Sequence, residues 1–241
     1  PFELSDGQKQ KVALARTLAY AEDILILDEP TSNLDPISKQ EILNVLKKIK
    51  GQKTMLFITH EINLAKELCD EIYVIYKGEI VEQGPAQEIF AFARHPYTKQ
   101  LVAVGSRALE YAGKLFLEEY YPYEISGCIY HRACPLAFNE CGWTADEILY
   151  DIQRLAAIFS NKKVEGATIG RDIIIYGLKK DELARLIENH PEVRSFKAID
   201  EIKEENNGLH LVVHKPSPIN AIKLNEAIVK CLLYRGTKLK L

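Results

Sequence analysis

Two adjacent carboxylates, Asp28 and Glu29, end the apolar run Ile24-Leu25-Ile26-Leu27, and a lone histidine, His60, ends a second, Thr54-Met55-Leu56-Phe57-Ile58-Thr59. Short apolar runs of this kind predict buried parallel strands, which deliver their last residues to one edge of a sheet. An acid pair at such an edge suits phosphoryl chemistry: Asp28 to hold Mg²⁺ and Glu29 to orient or deprotonate the attacking water. His60, expected at the same edge, is placed to face a phosphate. Taken alone, the first strand is equally well read as a buried strand meeting a polar turn by chance, and a lone histidine is more often structural than catalytic.

A third group with chemistry is Leu4-Ser5-Asp6-Gly7-Gln8. A helix starting here presents unpaired N–H groups and the positive end of its dipole, a natural seat for phosphate. Ser5 and Gln8 have the spacing of a capping box, which fixes where that helix starts. Thr31-Ser32-Asn33-Leu34-Asp35-Pro36 is a polar turn ahead of a helix expected from Ile37 to Lys50, with Ile42, Val45, Leu46 and Ile49 as its apolar stripe. That turn brings Asp35 beside the acid pair.

The remaining chemistry lies in cysteines. Cys128, Cys134 and Cys141 are separated by five and then six residues. Clustered thiols in a reducing compartment point to metal rather than to a disulfide, and the Cys134-Pro135 step is a feature of iron–sulfur loops. The spacing fits no common zinc pattern, and a loop of free thiols is an equal reading. His131 is the other nearby donor. Cys69 and Cys231 read as small buried hydrophobes.

The elements that must position these groups follow from periodicity. Ile72 to Gly84 reads as a hairpin about Lys77-Gly78, and Pro85 to Phe90 as a short amphipathic helix; Pro96 fits the first turn of another. Beyond Thr144, which can cap a helix with Glu147, two strands (164–169 and 172–176) flank a Gly170-Arg171 turn. A helix is expected over 181–189, strands over 193–202 and 209–214 about Asn206-Asn207-Gly208, and a closing helix over 218–233. His210 and His214 would then share one strand face as surface residues. The division expected is 1–93, 94–143 and 144–241. A net charge of −3 over 241 residues argues against an extensive nucleic-acid footprint. No apolar stretch reaches the ~18 residues of a membrane span, and no signal peptide opens the chain.

Leu4 to Gln8, Ile24 to Glu29, Ser32 to Asp35 and His60 resemble, in order and spacing, the signature, Walker B strand with catalytic Glu, D-loop and switch histidine of ABC-type ATPases. The hairpin over 72–84 resembles the one closing that family's sheet. His95-Pro96-Tyr97-Thr98 before a leucine-bearing helix resembles the subfamily that drives oligopeptide, dipeptide or nickel uptake. The resemblance implies an α/β fold: the C-terminal half of a P-loop ATPase domain, a parallel sheet with helices, then a cysteine segment and a small α+β unit. It implies ATP and Mg²⁺ as cofactors, Glu29 and His60 as catalytic residues, and Ser5, Gly7, Gln8, Asp28 and Asp35 as nucleotide-site residues. A second ATPase subunit paired head-to-tail, membrane permease subunits and a peripheral place on the cytoplasmic face of the membrane follow as partners and location. In that subfamily a similar cysteine segment binds a [4Fe–4S] cluster, here through Cys128, Cys134 and Cys141.

Two departures bear on activity. Asp6 stands where the family has a second glycine; its side chain either points to water or weakens nucleotide binding. No G-x-x-x-x-G-K-[ST] loop occurs: Gly51 to Lys53 and Gly113-Lys114 lack the second glycine and the hydroxyl residue. With no Met at its start and the signature three residues in, the chain reads as a fragment that alone neither holds ATP tightly nor hydrolyses it. The unit over 144–241 is expected to dimerise or sense a ligand. Two rival readings are a soluble ABC-type ATPase with no transport role, and a metal or redox sensor whose ATPase half is vestigial.

Overall fold

The computed structural model describes residues 4–20, 22–32, 34–105, 127–206 and 208–235. Asn33, Asn207 and Gly113-Lys114, and the side chain of Asp6, lie outside the described residues. The expected capping box opens α1 (Asp6–Ala19): Ser5 Oγ accepts from the Gln8 N–H and the Gln8 side chain accepts from the Ser5 N–H. Strands β1 (Ile24–Asp28) and β2 (Thr54–Ile58) pair in parallel, with Asp28 opposite Ile58. Between them runs α2 (Pro36–Ile49), capped by Asp35, and after them α3 (Ile62–Leu68).

A core of Leu14, Leu27, Ile42, Leu46, Leu64 and Leu68 holds these elements together. In α2 the inward positions are Ile42, Leu43 and Leu46, whereas Val45, expected in the stripe, is exposed. The β1 strand departs from expectation too. Leu25 and Leu27 are buried, but Ile24 and Ile26 are 63% and 65% exposed, so one face of a parallel pair stands open where parallel sheets are normally covered on both.

A second sheet begins with the hairpin β3 (Glu71–Tyr76) and β4 (Glu79–Pro85). Its turn residues Lys77 and Gly78 both have positive φ (47° and 86°), the backbone that a two-residue hairpin turn demands. Helices α4 (Ala86–Phe92) and α5 (Pro96–Gly105) follow. The α+β unit contains α6 (Ala145–Ser160), β5 (Glu165–Ile169), β6 (Asp172–Tyr176), α7 (Lys180–Asn189), β7 (Ile199–Glu205) and β8 (Gly208–Val213). Its antiparallel sheet runs in the order β5-β6-β8-β7. The Thr144–Glu147 capping box starts α6 as expected.

Two elements correct the sequence reading. Residues 194–198 form a 3₁₀ turn, burying Phe196 and Ala198, before the strand begins at Ile199. The closing helix expected over 218–233 is instead a hairpin, β9 (Ile222–Leu224) and β10 (Ala227–Val229), about Asn225 with φ 54°. β10 pairs with β4, giving the order β3-β4-β10-β9. An edge strand with unpaired N–H and C=O groups favours an added strand over a free-standing helix. The cost of the approach is visible at Gly84 (φ 156°), where a Cβ would meet the Ala227 Cα at 2.9 Å.

Candidate functional site

The parallel register of β1 and β2 brings two groups 31 positions apart to one edge. The Glu29 N–H donates to the Ile58 carbonyl (2.9 Å), extending the pairing by one residue. Glu29 then turns sharply, with φ 44°, an unfavourable backbone for a non-glycine residue and of the kind that clusters at functional sites. The Ser32 N–H (3.1 Å) and hydroxyl (2.9 Å) both donate to the Glu29 carbonyl and hold that turn.

The Glu29 carboxylate is aimed by His60. Its Oε1 accepts from the His60 backbone N–H at 3.0 Å and lies 2.7 Å from His60 Nδ1. Its Oε2 is buried and has no hydrogen-bond partner among the described residues. The arrangement is a carboxylate with one oxygen pinned and the other buried without a partner, beside an imidazole whose side chain is 74% exposed. Asp28, exposed at the last position of β1, is the adjacent carboxylate. Thr31 and Glu61 brace the edge from behind: the Thr31 hydroxyl donates to Glu61 Oε1 (2.8 Å), and Lys39 pairs with Glu61. Neither brace was singled out in the sequence, where both look like ordinary polar loop residues.

Ser5 and Gln8 spend their side chains on the cap of α1. Gly7 is required by packing: a Cβ there would lie 2.5 Å from Ser38 Oγ, which sets the start of α1 against the start of α2. Asp35 caps α2 through Oδ1, accepting from the Ile37 and Ser38 N–H groups at 3.0 Å each. Hydrogen bonds from the Ser38 backbone and hydroxyl, chiefly, hold its carboxyl below the ordinary value.

The second assembly is built on cysteine. Gly127 and Gly142 pack backbone to backbone; a Cβ on Gly142 (φ 119°) would lie 2.7 Å from the Gly127 Cα. That contact closes the cysteine loop, with the Cys128 N–H donating to the Cys141 carbonyl at 2.7 Å. The β9–β10 hairpin carries Cys231, read from sequence as an isolated hydrophobe, to the same place. Each of Cys128, Cys134, Cys141 and Cys231 is close enough to the other three for their charges to interact. Burial, with these neighbours adding to it, pushes the Cys128 and Cys134 thiols up to about 12 and raises Cys141; burial, with the Glu82 charge adding to it, raises Cys231.

The Cys141 sulfur receives the Phe138 backbone N–H at 3.4 Å, and the backbone at Tyr130, Leu136 and Leu233 acts on Cys128, Cys134 and Cys231 in the opposite sense to burial. Amide donors aimed at sulfur stabilise anionic thiolates and are among the features that tune iron–sulfur centres. Among the described residues, no three His, Cys, Asp or Glu side chains gather tightly enough to hold a single metal ion. Cys69 stands apart, half-buried at the end of α3.

His131 is not a thiol-side donor. Its Nδ1 donates to the Cys128 carbonyl (2.6 Å), and its Nε2 faces Glu147 Oε1 and Oε2 at 2.9 and 3.1 Å, both side chains being essentially sealed from solvent. Burial would raise the Glu147 pKa, but the hydrogen bond and charge of His131, the Thr144 N–H and Arg132 outweigh it and leave a lowered value. His210 and His214 pair with surface carboxylates, Asp172 and Glu205 for the first and Asp200 for the second. No helix among the described residues is long and apolar enough to cross a membrane.

Comparison with known proteins matches two segments. Residues 1–32 match the ABC transporter family, and residues 81–141 match the oligopeptide/dipeptide transporter C-terminal region. The methionine import ATP-binding protein MetN of Helicobacter pylori (strain ATCC 700392 / 26695) is 49% identical over 106 residues, 43% of this chain and 32% of the relative. The uncharacterized ABC transporter ATP-binding protein YejF of Escherichia coli (strain K12) is 42% identical over 106 residues, 43% of this chain and 20% of the relative. MetN 2 of Staphylococcus epidermidis (strain ATCC 35984) is 44% identical over 104 residues, 42% and 30% of the two chains. The chain thus spans a third or less of the length of these relatives.

Proposed function

We propose that this chain, which carries ABC transporter sequence at residues 1–32 and an oligopeptide/dipeptide transporter C-terminal region at residues 81–141, is part of the ATP-hydrolysing subunit of a peptide importer. The observation that carries the reading is the Glu29 carboxylate, with Oε1 pinned by His60 and Oε2 unpartnered beside Asp28.

In this reading, Glu29 Oε2 takes a proton from the water that attacks the γ-phosphorus of ATP, and the bond to the β-phosphate oxygen breaks. His60 holds Glu29 in that aim and presents its exposed ring to the γ-phosphate. Asp28 is the carboxylate for Mg²⁺, which when bound neutralises charge on the phosphate oxygens. Ser5, Gly7 and Gln8 at the start of α1 serve the ATP of a second subunit paired head-to-tail, with Asp35 at the junction. The G-x-x-x-x-G-K-[ST] pattern is not found in these 241 residues, and a segment supplying it would cover the open face of Ile24 and Ile26. These residues alone would not turn over ATP. Permease subunits on the cytoplasmic side of the membrane would receive the motion.

The match over 81–141 favours small peptides over nickel as cargo, although two of the relatives are named for methionine. Supplying a phosphate-loop half from a relative should give ATP hydrolysis stimulated by a permease and its peptide. Hydrolysis indifferent to any permease would instead favour a soluble ABC-type ATPase. A second reading concerns the cysteines: Cys128, Cys134, Cys141 and Cys231 would hold a [4Fe–4S] cluster as a structural or redox element. The electrostatic coupling of one half-buried and three buried thiols and the Phe138 N–H on the Cys141 sulfur support it. Anaerobic reconstitution with ferrous iron and sulfide tests it, since about four irons per chain are expected and colourless, iron-free protein would contradict it.

A further inference from the structure

The two loops that carry Glu29 and His60 meet a second time, behind the carboxylate. Two residues past Glu29, the Thr31 hydroxyl donates to Glu61 Oε1 at 2.8 Å, and Glu61 directly follows His60. Lys39, near the start of α2, pairs with the other oxygen of the same carboxylate. One side chain thus ties together the loop after β1, the loop after β2 and the start of α2.

Its place in the chain makes that use of the carboxylate unexpected. Glu61 is the N-cap of α3, where a side chain ordinarily accepts from the first N–H groups of its own helix, yet it makes no such bond. Its backbone alone serves the helix, the carbonyl accepting from the Leu64 and Ala65 N–H groups at 3.0 and 3.2 Å. The rear tie is also the better shielded: Thr31 is 2% exposed and the Glu61 side chain 20%, against 74% for the His60 side chain. A hydrogen bond shielded from water competes less with solvent, and a buried hydroxyl is rarely left without a partner. The φ of 44° at Glu29 needs such surroundings to persist.

We propose that Glu61 is a positioning residue for the Glu29–His60 pair: by holding Thr31 and Lys39 it fixes the separation of the two loops, and with it the aim of the Glu29 carboxylate. The assignment rests on the ATPase reading of Glu29 given above. Glu61 acts only through the loops it joins.

Glu61→Asp is the variant that separates positioning from stability. Aspartate keeps the charge and is among the preferred N-caps, so α3 should lose no stability, but a side chain one methylene shorter does not span to Thr31 and Lys39 together. In the chain complemented with a phosphate-loop half, kcat and kcat/KM for ATP should fall together by roughly 10- to 10²-fold, the scale of a misplaced catalytic group. The melting temperature should hold. Glu61→Gln retains the reach and the acceptor for Thr31, so turnover should recover part of the way. A further readout needs no nucleotide: in the 241-residue chain alone, hydrogen exchange at the His60 amide, which donates to Glu29 Oε1, should be faster in Glu61→Asp than in wild type. Wild-type turnover and wild-type exchange in folded Glu61→Asp would overturn the positioning role. So would a fall in melting temperature that matches the activity loss, which makes Glu61 structural. Undiminished turnover in Glu29→Gln would overturn the ATPase reading instead, and the exchange comparison would still decide whether Glu61 sets the two loops.

Discussion

Glu29 and His60 meet on a single oxygen: Glu29 Oε1 accepts the His60 backbone N–H at 3.0 Å and lies 2.7 Å from its Nδ1. The contact exists because β1 and β2 pair in parallel and end together, not because the residues are near in sequence. It divides the carboxylate into one oxygen that is held and one, buried Oε2, that is not.

His60→Ala should therefore damage turnover without damaging the fold. Its side chain is exposed, so thermal unfolding should hardly move. Steady-state ATPase assays of the chain complemented with a phosphate-loop half should show a loss of roughly 10²-fold or more, the scale of a displaced general base. A melting change as large as the activity loss would assign His60 a structural role.

Cys231→Ser should reduce iron retention as severely as Cys128→Ser, although Cys231 lies far from the other three in sequence. Cys69→Ser should leave it unchanged, because Cys69 is not among the thiols whose charges act on Cys128, Cys134 and Cys141. Iron and sulfide content after anaerobic reconstitution separates the two outcomes, and equal iron in wild type and Cys231→Ser would remove Cys231 from the ligand set.

Gly142→Ala should open the cysteine loop. It places a Cβ against the Gly127 Cα and forces a residue with a side chain to hold φ 119°. The expected cost is about 1–3 kcal/mol, with the Cys128 N–H to Cys141 carbonyl bond lost first. Denaturant unfolding measures the cost, and hydrogen exchange at the Cys128 amide reports the bond.

The buried His131–Glu147 pair ties the cysteine loop to α6. His131→Ala leaves the sealed Glu147 with only its Thr144 and Arg132 contacts, which should cost about 1–3 kcal/mol. The Glu147 pKa is lowered in the fold, so its stabilising contribution is complete above the ordinary glutamate value of 4.5 and is lost as pH falls through the lowered folded value. Melting temperature followed down through that range should fall more steeply in wild type than in Glu147→Gln; parallel curves would show that the pair carries no such linkage.

Legibility in the sequence tracked how local each feature is. The caps at Ser5–Gln8 and Thr144–Glu147, and the turn at Lys77-Gly78, are decided by side chains within a few residues, and they form as read. The acids and His60 were visible because each ends a short apolar strand. What escaped depends on distant partners. Residues 218–233 have apolar positions compatible with a helix, yet the free edge of β4 recruits them as a hairpin. That same pairing carries Cys231 to the other cysteines, so misreading one element concealed the fourth thiol. The exposed face of β1 could not be read either, because a run of Ile and Leu looks the same whether one or both faces are covered.

The most direct test of the account is ATP hydrolysis by the chain complemented with a phosphate-loop half, comparing wild type with Glu29→Gln. The account predicts that nucleotide binding survives while turnover falls by about 10²- to 10⁴-fold, since the amide keeps the His60 contacts and cannot take the proton from water. Undiminished turnover in Glu29→Gln would contradict it.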